Sequence, residues 1–277
     1  MRLGAHVPTR GRITNAVAHA VERGAEALQV FISNPRAWAP PALTAELAAE
    51  FRAAAAEADV GPLVAHSSYL INIASPAEGF RRRSVDLARR ELEAVAALGG
   101  AGLVVHSGAA GAETPRPEAI ARAAESVRRI AEDAPAPVIL ELMAGGAGTV
   151  ASTLPQAAEL FEAVGRDEIR LCLDTCHLFA AGYRLDEPGG VEELFAELRD
   201  LGLAERLAVL HANDARDPRG SRRDRHWHIG RGGIGEDGFR GILSRPELEG
   251  RPVLIETPGE PEDDRRNLAE LRRLAGR

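Results

Sequence analysis

The chain has 277 residues, of which 45% are hydrophobic and 27% are charged, and this composition excludes intrinsically disordered and fibrous proteins. Its formal net charge is −7, so the bulk composition does not indicate binding to nucleic acid or to anionic lipid. All 34 basic residues are arginine, and the absence of lysine excludes lysine Schiff-base enzymes and P-loop nucleotide hydrolases.

Short apolar runs recur along the chain, each followed by polar residues and then by an amphipathic segment at helical spacing. The eight runs predict strands at 3–7, 27–32, 63–65, 103–105, 138–140, 169–173, 207–210 and 253–255. Helical connectors are predicted at 44–58, 79–98, 117–133, 154–164 and 191–201, where clusters of proline and glycine mark the ends.

Eight strands that alternate with helices are the parts of an α/β protein of the TIM (β/α)8 barrel type. No linker or change of composition divides the sequence, so we predict a single barrel domain over residues 1–277. An open doubly wound sheet would show the same alternation, but its ligand residues would cluster near one switch point instead of following nearly every strand.

The only two cysteines, Cys172 and Cys176, flank Asp174 at the end of the sixth predicted strand. A mutual disulfide is disfavoured at this spacing, which fits a reducing, cytoplasmic setting. The N-terminal residues lack the apolar core of a signal peptide, and no apolar stretch reaches the roughly 18 residues of a membrane span. We therefore expect a cytoplasmic protein without a membrane partner.

Side chains that are typical metal ligands follow six of the predicted strands. They are His66, His106, Glu141, Asp174, His211 and Glu256. A lone strand-end histidine or carboxylate usually bonds to a neighbouring loop, but the carboxyl ends of barrel strands converge on one pocket. With His177, Asp224 and His226 nearby, the nine nitrogen and oxygen donors exceed what one ion can coordinate and suit several Zn²⁺ or Mn²⁺ ions.

Four segments carry a resemblance to a known family. They are HSSYLINIAS at 66–75, LCLDTCHLFAAGY at 171–183, HANDARDPRGSRRDRHWHIGRGGIG at 211–235 and LIETP at 254–258. These segments resemble the signatures of the endonuclease IV family of apurinic/apyrimidinic endonucleases, and the likeness extends over essentially the whole chain. It implies a TIM barrel with three zinc ions that hydrolyses the phosphodiester 5′ to an abasic site in DNA.

The resemblance also implies three zinc sites that share donors. Their ligand sets are His66, His106 and Glu141; Glu141, Asp174, His211 and Glu256; and His177, Asp224 and His226. Glu141 would bridge two ions and would act in catalysis together with Asp174 and Glu256. Because the chain offers no lysine for a Schiff base, we expect hydrolysis that leaves a 3′-hydroxyl instead of β-elimination.

The expected partner is double-stranded DNA that contains an abasic site, bound by a monomeric protein. The loop FISNPRAW at 31–38 resembles the second-strand loop of the family, which implies DNA contacts for Asn34 and Arg36. Tyr69 matches an aromatic residue beside the flipped-out nucleotide, although it could instead be a core aromatic. Arg225 is predicted to reach a phosphate, whereas Arg222 and Arg223 could equally form a solvated charge run.

Several positions depart from the usual residues of the family. They are Ala37, Ser107, Leu142, Met143 and Trp227, none of which is an expected ligand, so lesion preference is less defined than metal-dependent hydrolysis. His6, at the end of the first strand, is predicted to hydrogen-bond a ligand and not to bind metal itself. The sequence GRGGIG at 230–235 fits a dinucleotide fingerprint, but it follows a polar loop and not a strand, so that interpretation is rejected.

The main rival is a sugar isomerase or epimerase of the xylose-isomerase-like barrels, which place similar residues around one or two divalent ions. The additional donors His66, His106, His177 and His226 argue against it, since such a pocket does not need a third metal. A non-catalytic DNA-binding role is a third possibility, and the net charge of −7 opposes it.

Overall fold

The computed structural model describes residues 1–277 and contains a closed barrel of eight parallel strands. The barrel strands are β1 (Arg2–His6), β2 (Ala27–Phe31), β3 (Leu63–His66), β4 (Leu103–His106), β5 (Val138–Glu141), β6 (Arg170–Asp174), β7 (Leu207–His211) and β10 (Pro252–Ile255). Each barrel strand pairs with the barrel strands that come before and after it in the chain, so that β7 pairs with β10. The barrel closes where β10 pairs with β1. The prediction of a TIM barrel is confirmed.

A short antiparallel hairpin interrupts this pattern between β7 and β10. It consists of β8 (Asp214–Ala215) and β9 (His226–Trp227), with Asp214 paired to Trp227 and Ala215 to His226. The sequence pattern did not predict it, because two-residue strands carry no measurable periodicity.

Nine α-helices connect the strands. They are α1 (Asn15–Arg23), α2 (Ala45–Glu57), α3 (Glu78–Ala97), α4 (Arg116–Ala131), α5 (Leu154–Val164), α6 (Thr175–Ala181), α7 (Gly190–Asp200), α8 (Gly235–Leu243) and α9 (Pro261–Leu274). The five predicted helices agree with α2, α3, α4, α5 and α7 to within two residues at each end. None of the nine helices is long and apolar enough to cross a lipid bilayer.

Local sequence signals explain several of the helix boundaries. Before α2, the Thr44 hydroxyl accepts a hydrogen bond of 3.2 Å from the Leu47 N–H, which satisfies a free donor of the first turn. The helix α5 carries a proline in its first turn and stops at Gly165, whose φ of 64° suits glycine better than other residues. At α9, Glu260 and Asp263 form a reciprocal capping box.

Two apolar clusters hold the barrel together. A cluster of 71 buried residues packs the helices against the outside of the strands, and a smaller cluster fills the barrel interior. The interior cluster takes one side chain from each of seven strands: Ala27, Val64, Val104, Ile139, Cys172, Val209 and Leu254. The remaining barrel strand, β1, has Gly4 at this level. Glycine is required there, because a Cβ would lie 2.1 Å from the Ala27 carbonyl oxygen.

Candidate metal centre

The interior cluster fixes which side chains point into the mouth of the barrel. Side chains two residues apart on a strand share a face, so the residue two positions after each interior residue also points inward, toward the C-terminal mouth. We call these eight residues the strand-end layer: His6, Gln29, His66, His106, Glu141, Asp174, His211 and Glu256. Six of the predicted ligands therefore belong to the strand-end layer, because side chains on a strand repeat their direction every two residues.

The first predicted ligand set is assembled around Glu141. The Nε2 atoms of His66 and His106 lie 3.2 and 3.3 Å from the Glu141 Oε2 atom. All three donor atoms lie within 4.8 Å of one another, which is close enough to share one cation.

The second set uses the other oxygen of the same carboxylate. The His211 Nδ1 atom lies 3.1 Å from Glu141 Oε1 and 3.4 Å from Glu256 Oε2. Together with Asp174, these residues place four donors within 4.8 Å of one another. Glu141 thus directs one oxygen toward each set, as a carboxylate that bridges two cations would.

The third set lies on α6, on the loop before β9 and at the first residue of β9. The Nε2 atoms of His177 and His226 lie 3.3 and 3.1 Å from Asp224 Oδ1. Both nitrogens are buried and neither has a hydrogen-bond partner, which is costly for a polar atom unless a ligand satisfies it. Asp174 joins this set, because its Oδ2 atom is 3.4 Å from His226 Nε2 and its donor lies within 4.8 Å of both imidazoles.

The orientation of the imidazole rings also suits metal binding. The Nδ1 atoms of His66, His177 and His226 lie 2.9, 2.7 and 3.1 Å from backbone carbonyl oxygens. A carbonyl oxygen can only accept, so Nδ1 carries the hydrogen and the lone pair of the neutral ring is on Nε2, facing the carboxylates. Three backbone contacts thereby select the tautomer that a metal requires.

Charges within the cluster oppose the effect of burial on the pKa of Glu141 and on that of His226. Burial would raise the pKa of Glu141, but the charges of His211 and His106 outweigh it and hold that pKa well below its usual value. Burial would lower the pKa of His226, yet Asp174 and Asp224 raise it to about 9. These carboxylates therefore favour the protonated form of His226, and a bound cation would replace that proton.

Both cysteines lie near these donors but are poor ligands. Cys172 is within 4.8 Å of the Glu141 and His211 donors, and Cys176 is equally close to those of Asp224 and His226. Burial raises the pKa of the Cys172 thiol to about 12 and also raises that of Cys176, so neither readily forms a thiolate. The two cysteines are free, and Cys172 packs in the barrel interior as a small apolar residue.

A cavity of about 450 Å³ opens above the cluster. Its floor and walls are polar donors from the three ligand sets, together with His6 and Thr257. Phe31 and Tyr69 form an aromatic edge on one side, with ring centroids 4.9 Å apart. The cavity thus combines a cluster of potential metal ligands with an aromatic surface.

Comparisons with known proteins show which family the chain resembles. Residues 17–275 match a family model described as a xylose isomerase-like TIM barrel. The chain is 38% identical to the probable endonuclease 4 of Streptomyces avermitilis, covering 98% of this chain and 89% of that protein, and 38% identical to that of Methanoculleus marisnigri, covering 99% of each. The crystal structure of endonuclease IV from Thermus thermophilus superimposes with a TM-score of 0.87 at 34% identity, covering 100% of this chain and 99% of that one. The chain belongs to the endonuclease IV family.

Sugar epimerases share the fold of this endonuclease IV family member. A D-psicose 3-epimerase superimposes with a TM-score of 0.71 at 17% identity and covers 100% of both chains. At that identity the likeness reflects the barrel alone. The rival interpretation as an isomerase or epimerase therefore rests only on the fold.

Of the side chains predicted to contact DNA, that of Tyr69 lines the cavity. Tyr69 is 62% exposed, so its alternative interpretation as a core aromatic is wrong. Asn34 and Arg36 are exposed on the loop after β2, where the Asn34 side chain accepts a 3.0 Å hydrogen bond from the Arg36 N–H. The Arg225 guanidinium donates hydrogen bonds of 2.6 and 2.8 Å to the Asp217 carboxylate, an ion pair that the sequence did not predict.

Two amides that the sequence analysis missed hold the ligands in place. Gln29 donates a 2.7 Å hydrogen bond to Glu256 Oε1, and its own oxygen lies 2.8 Å from His211 Nε2, which leaves His211 Nδ1 to face Glu141. Asn213 donates to Asp174 Oδ2 over 2.7 Å and accepts from the Glu256 N–H. Gln29 could have been found, because it follows Ala27 by the same two residues that separate each ligand from the barrel interior.

His6 has the hydrogen-bonding contact that its position predicts, with Nδ1 3.2 Å from Glu256 Oε1. The glycine-rich stretch 230–235 also has a role inside the protein. Its backbone N–H groups at Gly232 and Ile234 each donate a 2.9 Å hydrogen bond to the buried carboxylate of Asp214. The anion bound by these N–H groups is therefore a side chain of the protein itself, which agrees with the rejection of a dinucleotide site. The same hydrogen bonds hold the base of the hairpin that carries His226.

Proposed function

We propose that this protein is a zinc-dependent DNA-repair endonuclease that hydrolyses the phosphodiester 5′ to an abasic site in duplex DNA and leaves a 3′-hydroxyl. One observation carries the proposal: nine histidine and carboxylate donors meet at a single barrel mouth, and two buried imidazole nitrogens there have no partner. Membership of the endonuclease IV family supports the assignment to DNA cleavage.

The residues fit three ions with shared ligands. His66, His106 and Glu141 would hold the first, and Glu141, Asp174, His211 and Glu256 would hold the second. His177, Asp224 and His226 would hold the third. Mixed imidazole and carboxylate donors suit Zn²⁺, although Mn²⁺ could occupy the more oxygen-rich second site.

Bound divalent ions would supply two things, an acidified water as nucleophile and positive charge beside the reacting phosphate. The chain's own residues would position this chemistry. Glu141 holds the first two sites together, and Gln29 and His6 fix the Glu256 carboxylate through hydrogen bonds of 2.7 and 3.2 Å. Asn213 fixes Asp174 in the same way. Such hydrogen bonds prevent the ligands from rotating toward solvent.

Substrate recognition would involve the edge of the cavity. Tyr69 is exposed and braced by Phe31, so it can stack beside a nucleotide displaced from the duplex. Arg36 is exposed on the adjacent loop and can reach a phosphate. The protein surface would thus place an abasic sugar phosphate over the donors.

The absence of lysine gives the proposal a sharp test. A duplex carrying a tetrahydrofuran analogue of the abasic sugar has no aldehyde, so it cannot form a Schiff base and only a hydrolase can cut it. We expect cleavage 5′ to the analogue, a 3′ end that a polymerase extends, loss of activity after chelation and recovery with added zinc. Failure to cut this duplex, or an unsaturated aldehyde at the 3′ end of a natural abasic substrate after zinc removal, would overturn the proposal.

The remaining expectations concern organisation and setting. The barrel elements run from Arg2 to Leu274, which supports the proposal that residues 1–277 form one domain. The monomeric state and the cytoplasmic location stay predictions.

A further inference from the structure

A buried carboxylate lies outside the metal cluster and has no part in the proposed chemistry. Glu91 is on α3 and only 1% exposed. No arginine or histidine forms an ion pair with it, although burying an acid without a cation is unfavourable. Burial raises the pKa of Glu91 to about 7. Because burial of this carboxylate is unfavourable, its hydrogen-bond partners indicate its role.

The Glu91 carboxylate joins two loops at the mouth of the barrel. The Ser33 hydroxyl donates to Oε1, and the Ser68 N–H donates to Oε2 over 3.4 Å. Ser33 belongs to the loop after β2 and Ser68 to the loop after β3. A third link runs directly between them, because the Ser68 hydroxyl donates a 2.9 Å hydrogen bond to the Pro35 carbonyl.

These two loops, residues 32–37 and 67–72, are called the rim loops below. One carries Asn34 and Arg36, and the other carries Tyr69. Tyr69 is 62% exposed and its ring packs edge-on against Phe31, the last residue of β2. The links through Ser33, Ser68 and Glu91 lie at the base of the two loops that carry these exposed side chains.

We propose that Glu91 is a positioning residue that holds the rim loops in the arrangement that presents Arg36 and Tyr69 to DNA. The inference rests on the proposed function. Glu91 does not touch the substrate or the ligand atoms. It acts by removing loop freedom before binding, so its loss would weaken binding of abasic DNA and spare the chemical step.

The variants of choice are Glu91→Leu, Glu91→Gln and Ser33→Ala, with Glu93→Leu as the control on the exposed face of the same helix. Leucine removes both acceptors. Glutamine keeps both links, because its oxygen can accept from Ser68 while its NH₂ group donates to the Ser33 hydroxyl. Ser33→Ala removes one link and leaves the other.

For Glu91→Leu we expect KM for abasic duplex to rise by about tenfold with kcat within about twofold of wild type, since the loss is one of pre-organisation. Zinc content and hydrolysis of bis(p-nitrophenyl) phosphate, which is too small to use the rim loops, should not change. Glu91→Gln and Glu93→Leu should match wild type, and Ser33→Ala should raise KM by about threefold. If Glu91→Leu does not fold, Ser33→Ala decides, and a wild-type KM for it overturns the proposal.

Hydrogen exchange separates this inference from the proposed function. In Glu91→Leu, the backbone N–H groups of the rim loops should exchange faster, whether or not the protein cuts abasic DNA. Unchanged exchange together with an unchanged KM would contradict the proposal, and so would a parallel loss of zinc and of small-diester hydrolysis, which indicates a general structural role. Wild-type protein that does not cut abasic DNA would overturn the proposed function instead.

Discussion

Side chains in the strand-end layer are oriented by the barrel, whereas those on the rim loops are oriented by contacts between loops. Glu141, Asp174 and His211 are fully buried and follow directly from the inward face of their strands. Tyr69, Asn34 and Arg36 are exposed, and hydrogen bonds through Ser33, Ser68 and Glu91 support them from below. The first arrangement suits fixed metal ligands, and in the second the placement of substrate-binding residues depends on hydrogen bonds between loops.

The largest effect should come from the residue that joins two ligand sets. Glu141→Gln keeps the side-chain volume but removes the charge that faces both, so we expect hydrolysis to fall by at least about a thousandfold while the fold is retained. Turnover is measured on abasic duplex and folding by circular dichroism. Glu249→Gln, an exposed change just before β10, is the matched control. Retention of a tenth of wild-type turnover would contradict a bridging role.

The second prediction concerns the support beneath the rim loops. The pKa of Glu91 is about 7 when folded, against 4.5 as its ordinary value, so the folded state binds the proton more tightly. Wild-type stability should therefore fall as pH rises between these values, by up to about 3 kcal/mol relative to Glu91→Gln. Urea unfolding of both proteins from pH 5 to pH 8, at constant zinc, measures the difference. A difference that is independent of pH would show that Glu91 ionises normally.

Tyr69 tests whether recognition is separable from chemistry. Tyr69→Ala should weaken discrimination between abasic and intact duplex by roughly 1–3 kcal/mol, the value of a lost stacking contact, with zinc content unchanged. Competition binding and metal analysis measure the two quantities. Tyr69→Phe is the control, because it keeps the ring. Zinc loss in Tyr69→Ala would mean that the residue supports the cluster instead.

The smallest expected effects on DNA affinity concern two arginines near the mouth of the barrel, Arg36 and Arg225. Arg36 makes no ion pair, so Arg36→Ala should weaken DNA binding equally for all sequences and reduce the slope of log K against log salt by about one. Arg225 already pairs with Asp217, so Arg225→Ala should change affinity by less than about threefold. Salt titrations of both variants give the comparison. A larger loss for Arg225→Ala would show that it leaves Asp217 to bind a phosphate.

The sequence predicts the position of a side chain well where the two-residue period of a strand determines which way that side chain points. The eight strands and the positions of His66, His106, Glu141, Asp174, His211 and Glu256 follow from a period of two and from strand ends that converge. Gln29 obeys the same rule and was overlooked because an amide is not a typical metal ligand.

Contacts between distant loops were not predictable in this way. The pairing of Arg225 with Asp217, the hairpin from β8 to β9 and the links from Glu91 to Ser33 and Ser68 join residues whose separation in sequence carries no periodic signal. The side chain of Asp174 also belongs to two ligand sets at once, a sharing that only its three-dimensional surroundings reveal.

The number of zinc ions bound per chain tests the central claim most directly. Metal analysis of purified, zinc-saturated protein after removal of free metal should give about three ions per chain, because nine donors form three sets with shared carboxylates. Native mass spectrometry of the same sample should show the three-zinc species as the dominant form. One or two ions per chain would contradict the trinuclear assignment and favour the single-pocket metal site of an isomerase.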